Sequence, residues 1–459
     1  MAPPKLNDYE RRRLENIRRN DEMMAALKLH FKAASLLFKR PSVVAKSEKK
    51  LKTETTPVVI RRSLRNRGIQ PDSKGLEPKQ HGQNSLPLPR KSLPMSAAYS
   101  GEHSDASLVE AMVAAAAAKK EATRAMGEGF DGTKDGKRDN VRVSFELRSM
   151  ELDPKNTAKV FPERITTVRF IPSSTLRMVV VGSQFGNIGF WNVGADGNLV
   201  YSYCPHPARI TGILVQPNSL PKIYTSCYDG SVWLMDAEKE IFNLLYCSNR
   251  YIYSLHQPKN EANNLYFGDG QGGLTVWDNR MGKCSSKWVL HEDRINTIDF
   301  NSENPHIVAT SSTDGTVCTW DMRYADADNI APLKALTYDR AMQSAYFSPS
   351  GCKLATTSTD NIIGIYGGVN LEDEATIYDN KGINSGNFRA IWGWDDTYVF
   401  GGNKKRGVAV VSAVERKIVM TLRSPHMSTN SQRFDAHPYE VGTLAGATCG
   451  GHVYVWTSC

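Results

Sequence analysis

The chain has 459 residues, more than a single domain of ordinary size, so a large domain with a tail or two domains is expected. Its formal net charge is +9 at pH 7, and the first 140 residues hold 28 basic against 17 acidic residues, whereas the remainder is nearly neutral. This asymmetry indicates a polyanionic partner, a nucleic acid before a membrane surface. No apolar run approaches the ~18 residues that span a bilayer, and no apolar stretch near the N-terminus has the form of a secretory signal.

The eight cysteines are scattered beyond residue 190 and include no CxxC pair. This spacing argues against a zinc module and a thioredoxin-like site, and single cysteines of this kind are usually small core residues. We therefore predict no cofactor and no metal site, in a reducing compartment.

Residues 1–140 are predicted to form a basic N-terminal region without a core of its own. The stretch 7–38 has the pattern of a charged helix, with apolar residues on one face and arginines opposite. The stretch 39–140 is rich in Pro, Ser, Gly and Lys and nearly free of aromatic residues, which predicts a disordered linker. Within it, the Ala-rich piece 107–126 favours a helix but has too little apolar bulk to fold alone.

Two basic clusters in this region begin at Lys39 and Arg61. Such clusters are typical of nuclear-import signals or of nucleic-acid contacts, although charge runs also occur in solvated linkers. Both interpretations stay open.

Beyond residue 141 a unit of 42 to 46 residues recurs seven times. Such a period is typical of WD-repeat blades, which have four strands each. We therefore predict an all-β fold, a seven-bladed WD-repeat β-propeller over residues 141–459. The third strands are aligned on Trp191, Met235, Trp277, Trp320, Tyr366, Val411 and Trp456.

The best-formed repeat contains His291, Thr310, Asp314 and Trp320 at positions where such blades link a loop, a strand and a turn by hydrogen bonds. The last repeat ends at its third strand, so its outer strand has to come from upstream. The segment VRVSFELRSM, which begins at Val141, is the candidate that closes the ring.

The sequence shows no catalytic constellation. The histidines do not cluster, and neither a GxSxG nucleophile motif nor a phosphate-binding GxxxxGK[ST] loop is present. We predict a binding protein and not an enzyme.

Arginines recur at intervals of 41 to 46 residues at the start of the predicted innermost strands. Because equivalent positions in a closed ring share one face, these residues are expected to encircle one mouth of the central channel. Further basic residues of blades six and seven fall on the same face. The predicted DNA-binding set is Arg164, Arg209, Arg250, Arg294, Arg340, Lys404, Lys405, Arg406 and Arg433.

Such an arrangement suits phosphate oxygens and attracts polyanions. A structural interpretation stays open beside this one, because Arg164, Arg294 and Arg340 each follow an acidic residue and can form local ion pairs.

Two repeats carry the pattern WDxR at the end of the third strand, on the face opposite the arginines that recur at the starts of the innermost strands. The pattern resembles the box of WD-repeat substrate receptors of cullin-4 ubiquitin ligases, which dock on the damaged-DNA-binding adaptor. WDxR also arises by chance in propellers, so docking and coincidence both stay open. The residues concerned are Trp277, Asp278 and Arg280 in one repeat and Trp320, Asp321 and Arg323 in the next.

Several phrases together resemble the WD-repeat DNA-damage-binding family: YERRRLENIRRNDEMMAALKL, RRSLRNRG, SAYFSPSG and FDAHPYEVGTLAGATCGGHVYVW. The small subunit of UV-damaged-DNA-binding protein is a more distant cousin. The resemblance implies a nuclear, non-enzymatic protein of the DNA damage response and DNA metabolism. It also implies binding to UV-damaged DNA, double- or single-stranded, and a role as substrate receptor of a cullin-4 ligase.

One departure from the cousin concerns the loop that enters the sixth blade, where the cousin inserts a Phe-Gln-His wedge into the duplex. This chain has no aromatic residue at 379–384. Apolar wedges unstack and kink DNA, so we expect weakly specific, backbone-dominated binding instead. The alternative function is a scaffold that binds a histone tail or another peptide on the same face, without DNA. A peptide-binding site of this kind needs acidic residues and an aromatic cage, whereas the residues that recur on this face are arginines.

Overall fold

The structure is a computed structural model in which the chain forms two units, Met1–Asn84 and Ser85–Cys459. In the first unit it describes only Glu15, Arg18 and Arg19, which are helical, so the rest of the predicted helix lies outside the described residues. For 122–127 and 373–379 the description covers the backbone alone. The other described ranges are 92–127, 146–195, 199–216, 219–258, 261–324, 330–360, 362–368, 371–379, 388–403 and 406–458.

The described strands form seven antiparallel sheets that follow one another along the chain, and an upstream strand is added at the edge of two of these sheets. The predicted all-β, seven-bladed propeller is confirmed. Three short strands precede the first blade: β1 (Ser92–Pro94), β2 (Met150–Glu151) and β3 (Thr157–Lys159). Two helices lie near β1: α1 (Met95–Ala98) and α2 (Ala106–Gly127).

The first four blades begin with the strands next to the channel and end with the outermost strand. Blade one is β4 (Ile165–Phe170), β5 (Met178–Ser183), β6 (Ile188–Asn192) and β7 (Val200–Tyr203). Blade two is β8 (Ile210–Val215), β9 (Lys222–Cys227), β10 (Ser231–Asp236) and β11 (Ile241–Cys247). Blade three is β12 (Ile252–His256), β13 (Asn264–Asp269), β14 (Gly273–Asp278) and β15 (Lys283–Val289). Blade four is β16 (Ile295–Phe300), β17 (Ile307–Ser312), β18 (Thr316–Asp321) and β19 (Lys334–Thr337).

The last three blades follow the same order. Blade five is β20 (Met342–Phe347), β21 (Leu354–Ser358), β22 (Ile362–Gly367) and β23 (Asp373–Asp379). Blade six is β24 (Ile391–Trp392), β25 (Tyr398–Asn403), β26 (Gly407–Ser412) and β27 (Lys417–Arg423). Blade seven is β28 (Ser431–Ala436), β29 (Leu444–Thr448) and β30 (His452–Ser458).

Burial is greatest in the middle strands, and it falls toward the outer edge in blades whose outer strand has described side chains, such as blade three. Every residue of β5 is buried, because both faces of this strand pack against neighbouring blades. By contrast, β15 at the rim of blade three is mostly exposed. Continuous apolar runs such as VVV in β5 therefore belong to the second strands, as two-sided burial requires.

The predicted hydrogen-bond network of blade four is present. His291 bonds Asp314 through Nδ1 at 3.0 Å and Thr310 through Nε2 at 2.7 Å, and Trp320 Nε1 donates to the same Thr310 hydroxyl at 2.8 Å. Burial opposes the ionisation of Asp314, but the hydrogen bonds from His291 and Thr316 outweigh it and hold the pKa of this carboxyl well below its usual range. The network ties the loop before the blade to its second and third strands.

Ring closure differs in position from the sequence-based prediction. The outer edge of blade seven is indeed supplied from upstream, by β2 and β3, which pair with β30 at Thr457–Ser458 and at 452–454. Of the candidate segment, only Met150 takes part in this pairing, and 141–145 lie outside the described residues. The closing strand is therefore displaced toward residues 150–159, directly before blade one.

The structure also differs from the linker prediction between Ser92 and Gly127. There β1 adds a fifth strand to blade two by pairing with β11, and α2 packs against a core shared with blades one and two. The predicted helix is present, and its buried residues, Leu108, Met112, Ala115 and Ala116, cover apolar ends of those blades. The stretch has little apolar bulk alone, but the propeller supplies the opposing surface. No described helix is long and apolar enough to cross a membrane.

Replacing Met112 with Ala tests whether α2 is part of the core. Met112 is fully buried, so the variant should lose about 2–5 kcal/mol of unfolding free energy, measured by urea unfolding followed through tryptophan fluorescence. Val113, on the same helix, is 39% exposed, so Val113→Ala should change the value by roughly 0.5 kcal/mol or less. Equal effects of the two substitutions would contradict this packing.

Candidate nucleic-acid interface

A cavity of about 460 Å³ occupies the channel mouth formed by the starts of the innermost strands. None of the described residues that line it is acidic. Residues with side-chain amides or hydroxyls, Thr166, Thr211, Asn296 and Gln343, line the cavity together with arginines. The cavity contains five arginines, Arg164, Arg209, Arg294, Arg389 and Arg433, which we call the arginine pocket.

Three arginines of the predicted DNA-binding set occupy equivalent positions in their blades. Arg164, Arg209 and Arg294 each directly precede the first residue of an innermost strand, and that residue pairs with the end of the second strand in the same register. These three side chains reach the channel as predicted from the blade period.

Arg250 and Arg340 do not join them. The strand pairs of blades three and five begin at Ile252 and Met342, so these arginines lie two residues before the strand instead of one. Successive residues of an extended chain point in opposite directions, so a one-residue offset removes the side chain from the channel. Arg250 instead forms an ion pair with Asp269 at 3.1 Å, and Arg340 is exposed outside the pocket.

Two further arginines complete the pocket. Arg433 was predicted, whereas Arg389 was not, because the recurring position in blade six was placed near residue 386. Arg389 and Arg433 lie at the same distance from the paired ends of β24 and β28, so they are equivalent in neighbouring blades. The only sequence signal for this equivalence was the Arg shared by FRAIW (388–392) and QRFDA (432–436).

The pocket arginines are held by neutral groups. Arg164 donates to the amide oxygen of Gln432 at 3.0 Å, Arg389 to the carbonyl of Asn296 at 2.9 Å, and Arg433 to the carbonyl of Thr166 at 3.0 Å.

The predicted alternative, local ion pairs, is not observed among the described residues. The carboxylate of Glu163 accepts from Asn187 at 2.7 Å, and that of Asp293 accepts from the backbone N–H of Arg294. Neither Arg164 nor Arg294 forms an ion pair with its acidic neighbour, and the same holds for Arg340.

Burial and mutual repulsion act on these cations. Burial lowers the pKa of Arg209, and burial together with Arg389 and Arg164 lowers the pKa of Arg433 well below its usual value. The charges of the pocket are thus costly in the absence of an anion, which is the electrostatic condition for anion binding.

Tyrosines orient two of the arginines. The guanidinium of Arg209 lies 5.1 Å from the ring centre of Tyr228, and that of Arg294 lies 5.0 Å from the ring centre of Tyr253. Tyr251 stacks on Tyr228 with ring centres 4.3 Å apart. These cation–π contacts hold both arginines at the channel without neutralising them.

Arg406 lies on the same face, at the turn between the second and third strands of blade six. It is exposed, and its backbone N–H donates to Asn430, directly before β28. Lys404 and Lys405 lie outside the described residues, as does the loop 380–387, so their predicted placement is untested.

The backbone of Arg406 is strained. In five other blades the equivalent turn position is a glycine with positive φ: Gly186, Gly230, Gly272, Gly315 and Gly451. The tightness of this turn is clear at Gly451, where a Cβ would lie 1.8 Å from the carbonyl oxygen of Phe161. Arg406 adopts the same left-handed region, with φ 51°, at a cost that glycine avoids.

The two WDxR boxes lie at the ends of third strands, which the antiparallel order places on the face opposite the pocket. Trp320 is 3% exposed and donates to Thr310, so its role in blade four is structural. Asp321 is also buried, and its carboxylate accepts from the Nε and Nη2 atoms of Arg323 at 3.0 and 2.6 Å. These hydrogen bonds lower the pKa of Asp321 to about 2.

Only the arginines of the two boxes present substantial surface. Arg323 is half exposed beside Tyr324, which is 76% exposed, and Arg280 is largely exposed beside Met281. Trp277 is partly buried in blade three, and Asp278 holds Arg280 at 3.7 Å. The sequence analysis missed Tyr324 and Met281, whose only signal was their position directly after the box.

Within the residues that the structure describes, no three His, Cys, Asp or Glu side chains are grouped so that they can hold a metal ion.

Comparisons with known proteins agree with this architecture. The profile of the family "WD domain, G-beta repeat" matches residues 282–321. WD repeat-containing protein 76 of Xenopus laevis is 27% identical over 410 residues, which cover 84% of this chain and 69% of the relative. The same-named protein of Mus musculus is 23% identical over 475 residues, covering 98% and 74% of the two chains.

A fungal relative gives a second name. DNA damage-binding protein cmr1 of Aspergillus clavatus is 26% identical over 414 residues, covering 79% of this chain and 78% of the relative. The predicted resemblance is confirmed: the chain contains a matched WD repeat and is similar over most of its length to WD repeat-containing protein 76 and to the CMR1 DNA damage-binding proteins.

Proposed function

We propose that this chain is a nuclear, non-enzymatic DNA-binding protein of the DNA damage response, and that DNA lies across the channel-mouth face. The observation that carries the proposal is the basic channel-mouth face: Arg340 and Arg406 are exposed at its rim, around a mouth whose described lining residues include five arginines and no acidic residue. The name of the fungal relatives, DNA damage-binding protein, supports the same partner.

The exposed rim is suited to the phosphate backbone. Arg340 and Arg406 are exposed on this face, where solvent-accessible guanidinium groups can follow a duplex that does not enter the cavity. Phosphate contacts of this kind position DNA without reading its sequence. The basic clusters from Lys39 and Arg61 add sequence-independent attraction.

Two exposed aromatic residues belong to the same face. Phe185 is 62% exposed in the blade-one turn, and Tyr251 is 51% exposed directly after Arg250. Exposed rings beside cationic groups are the usual platform for unpaired bases, which supports binding to single-stranded as well as double-stranded DNA.

A histone-tail reader is the less favoured alternative. The lysines and arginines of such a tail would meet like charge at a mouth where no described lining residue carries a carboxylate.

Charge reversal on the rim tests the DNA interface. The double variant Arg340→Glu, Arg406→Glu should bind a random duplex at least about tenfold more weakly, measured by fluorescence anisotropy. The slope of log affinity against log salt should flatten by about 0.9 for each phosphate that the variant no longer binds. The matched control is Arg280→Glu, Arg416→Glu, which changes the same charge at exposed turns of the opposite face. Equal reductions in affinity for both variants would show that only net charge matters.

The strain at Arg406 gives a second test with opposite signs for stability and binding. Arg406→Gly should raise the unfolding free energy by about 1 kcal/mol, because glycine accepts the left-handed backbone, while DNA affinity falls. Thermal unfolding and anisotropy on the same preparation measure the two effects. Unchanged DNA affinity would remove Arg406 from the interface.

We also propose that the opposite face docks on the adaptor of a cullin-4 ubiquitin ligase. Arg323 is held by Asp321 and stands beside the exposed ring of Tyr324, a pairing of cation and aromatic group common at protein interfaces.

Co-purification with the adaptor tests the docking proposal. Arg323→Ala should abolish recovery of the adaptor. If some association through the blade-three box persists, adding Arg280→Ala should weaken it. Arg340→Ala on the other face should leave recovery of the adaptor unchanged. Undiminished recovery of the adaptor with the double variant Arg280→Ala, Arg323→Ala would rule out this mode of docking.

A further inference from the structure

We propose that the arginine pocket is a specific site for a compact, base-free polyphosphate of the inositol polyphosphate type, bound from solution independently of DNA. The inference goes beyond DNA binding, because it assigns the interior of the channel mouth to a small anion and leaves the rim to the duplex.

Size separates the two ligands. A volume of about 460 Å³ lies within the range of small-molecule sites, ~300–1,000 Å³. A duplex can cover the opening but cannot enter a cavity of this size. The guanidinium groups inside therefore need a ligand smaller than DNA.

Charge identifies the chemical class. Arg164, Arg209, Arg294 and Arg389 have no carboxylate partner among the described residues, and they converge on one cavity from four blades. The planar fork of arginine matches the oxygens of a phosphate group, and several forks on opposite walls match several phosphates on one small scaffold. A single-charge anion would leave most of these cations uncompensated.

The wall also holds donors that nothing in the described part of the chain uses. The Nε atoms of Arg294 and Arg389 are buried without a hydrogen-bond partner. Gln343 is 5% exposed, lines the cavity, and makes no side-chain hydrogen bond to any described residue. Buried polar groups without hydrogen-bond partners are destabilising. An anion that accepts hydrogen bonds from these donors removes that cost, which favours its binding.

The aromatic residues argue against a nucleotide. Tyr228 and Tyr253, the two rings in the lining, are in contact with the guanidinium groups of Arg209 and Arg294, and Tyr228 is also stacked on Tyr251. A nucleobase would have to displace these contacts. The pocket therefore favours phosphates without a base.

The test is isothermal titration calorimetry of the full chain at physiological ionic strength, with inositol hexakisphosphate as the probe. One specific site should be seen, and Arg294→Gln, Arg389→Gln should weaken it at least about tenfold. The control Arg340→Gln, Arg406→Gln removes the same charge from the rim and should weaken it by less than about threefold. No binding by the native chain, or equal weakening in the two variants, would overturn the proposal.

Additional arms separate the remaining outcomes. ATP and tripolyphosphate should bind with equal affinity, whereas a clear preference for ATP would replace the proposed ligand with a nucleotide. If the double pocket variant fails to fold, Arg209→Gln, at a partly exposed position, is the substitute. Duplex binding is measured separately by anisotropy. A native chain that binds DNA but no polyphosphate therefore contradicts only this inference, and a native chain that binds polyphosphate but no DNA contradicts only the proposed DNA interface.

Discussion

Closure of the ring between blades seven and one is the constraint on which both the fold and the candidate site depend. The closing strands β2 and β3 pair with β30, and this joins the end of the chain to the segment directly before blade one. Contacts across the same junction build the pocket, since Arg164 reaches Gln432 and Arg433 reaches the carbonyl of Thr166. An open ring would separate these partners, so the channel mouth exists only in the closed propeller.

The blade period was sufficient to predict the number of blades, because each repeat ends in a similar turn and third strand. It also placed Arg164, Arg209 and Arg294 correctly, but it could not resolve a shift of one residue. Such a shift depends on where strand pairing begins, which the period does not show, and it moved Arg250 and Arg340 out of the channel. The sequence did not show that helix α2 belongs to the core, because the apolar residues against which it packs lie in blades one and two, far from it along the chain.

The two mouths of the channel differ in their electrostatics. The arginine pocket has no acidic residue in the described part of its lining, whereas the lining of the opposite cavity, of about 850 Å³, includes Asp299 and Asp435. There Arg169 is paired with Asp435 at 2.8 Å, so its charge is compensated within the protein. Since residues 141–459 are nearly neutral as a whole, the two mouths differ in the placement of charge along the channel axis and not in net charge.

The strand β1 and helix α2 have a practical consequence for dissecting the chain. A deletion that ends at residue 140, where composition suggests a boundary, would remove both elements together with the basic tail. It would also uncover buried side chains of the propeller, among them Tyr203 and Phe242, which pack in the same core as Met112. Weaker DNA binding by such a truncated protein would then have two causes, lost charge and a damaged ring. A cut before Lys91 separates them, because it removes the basic clusters and keeps the fifth strand of blade two.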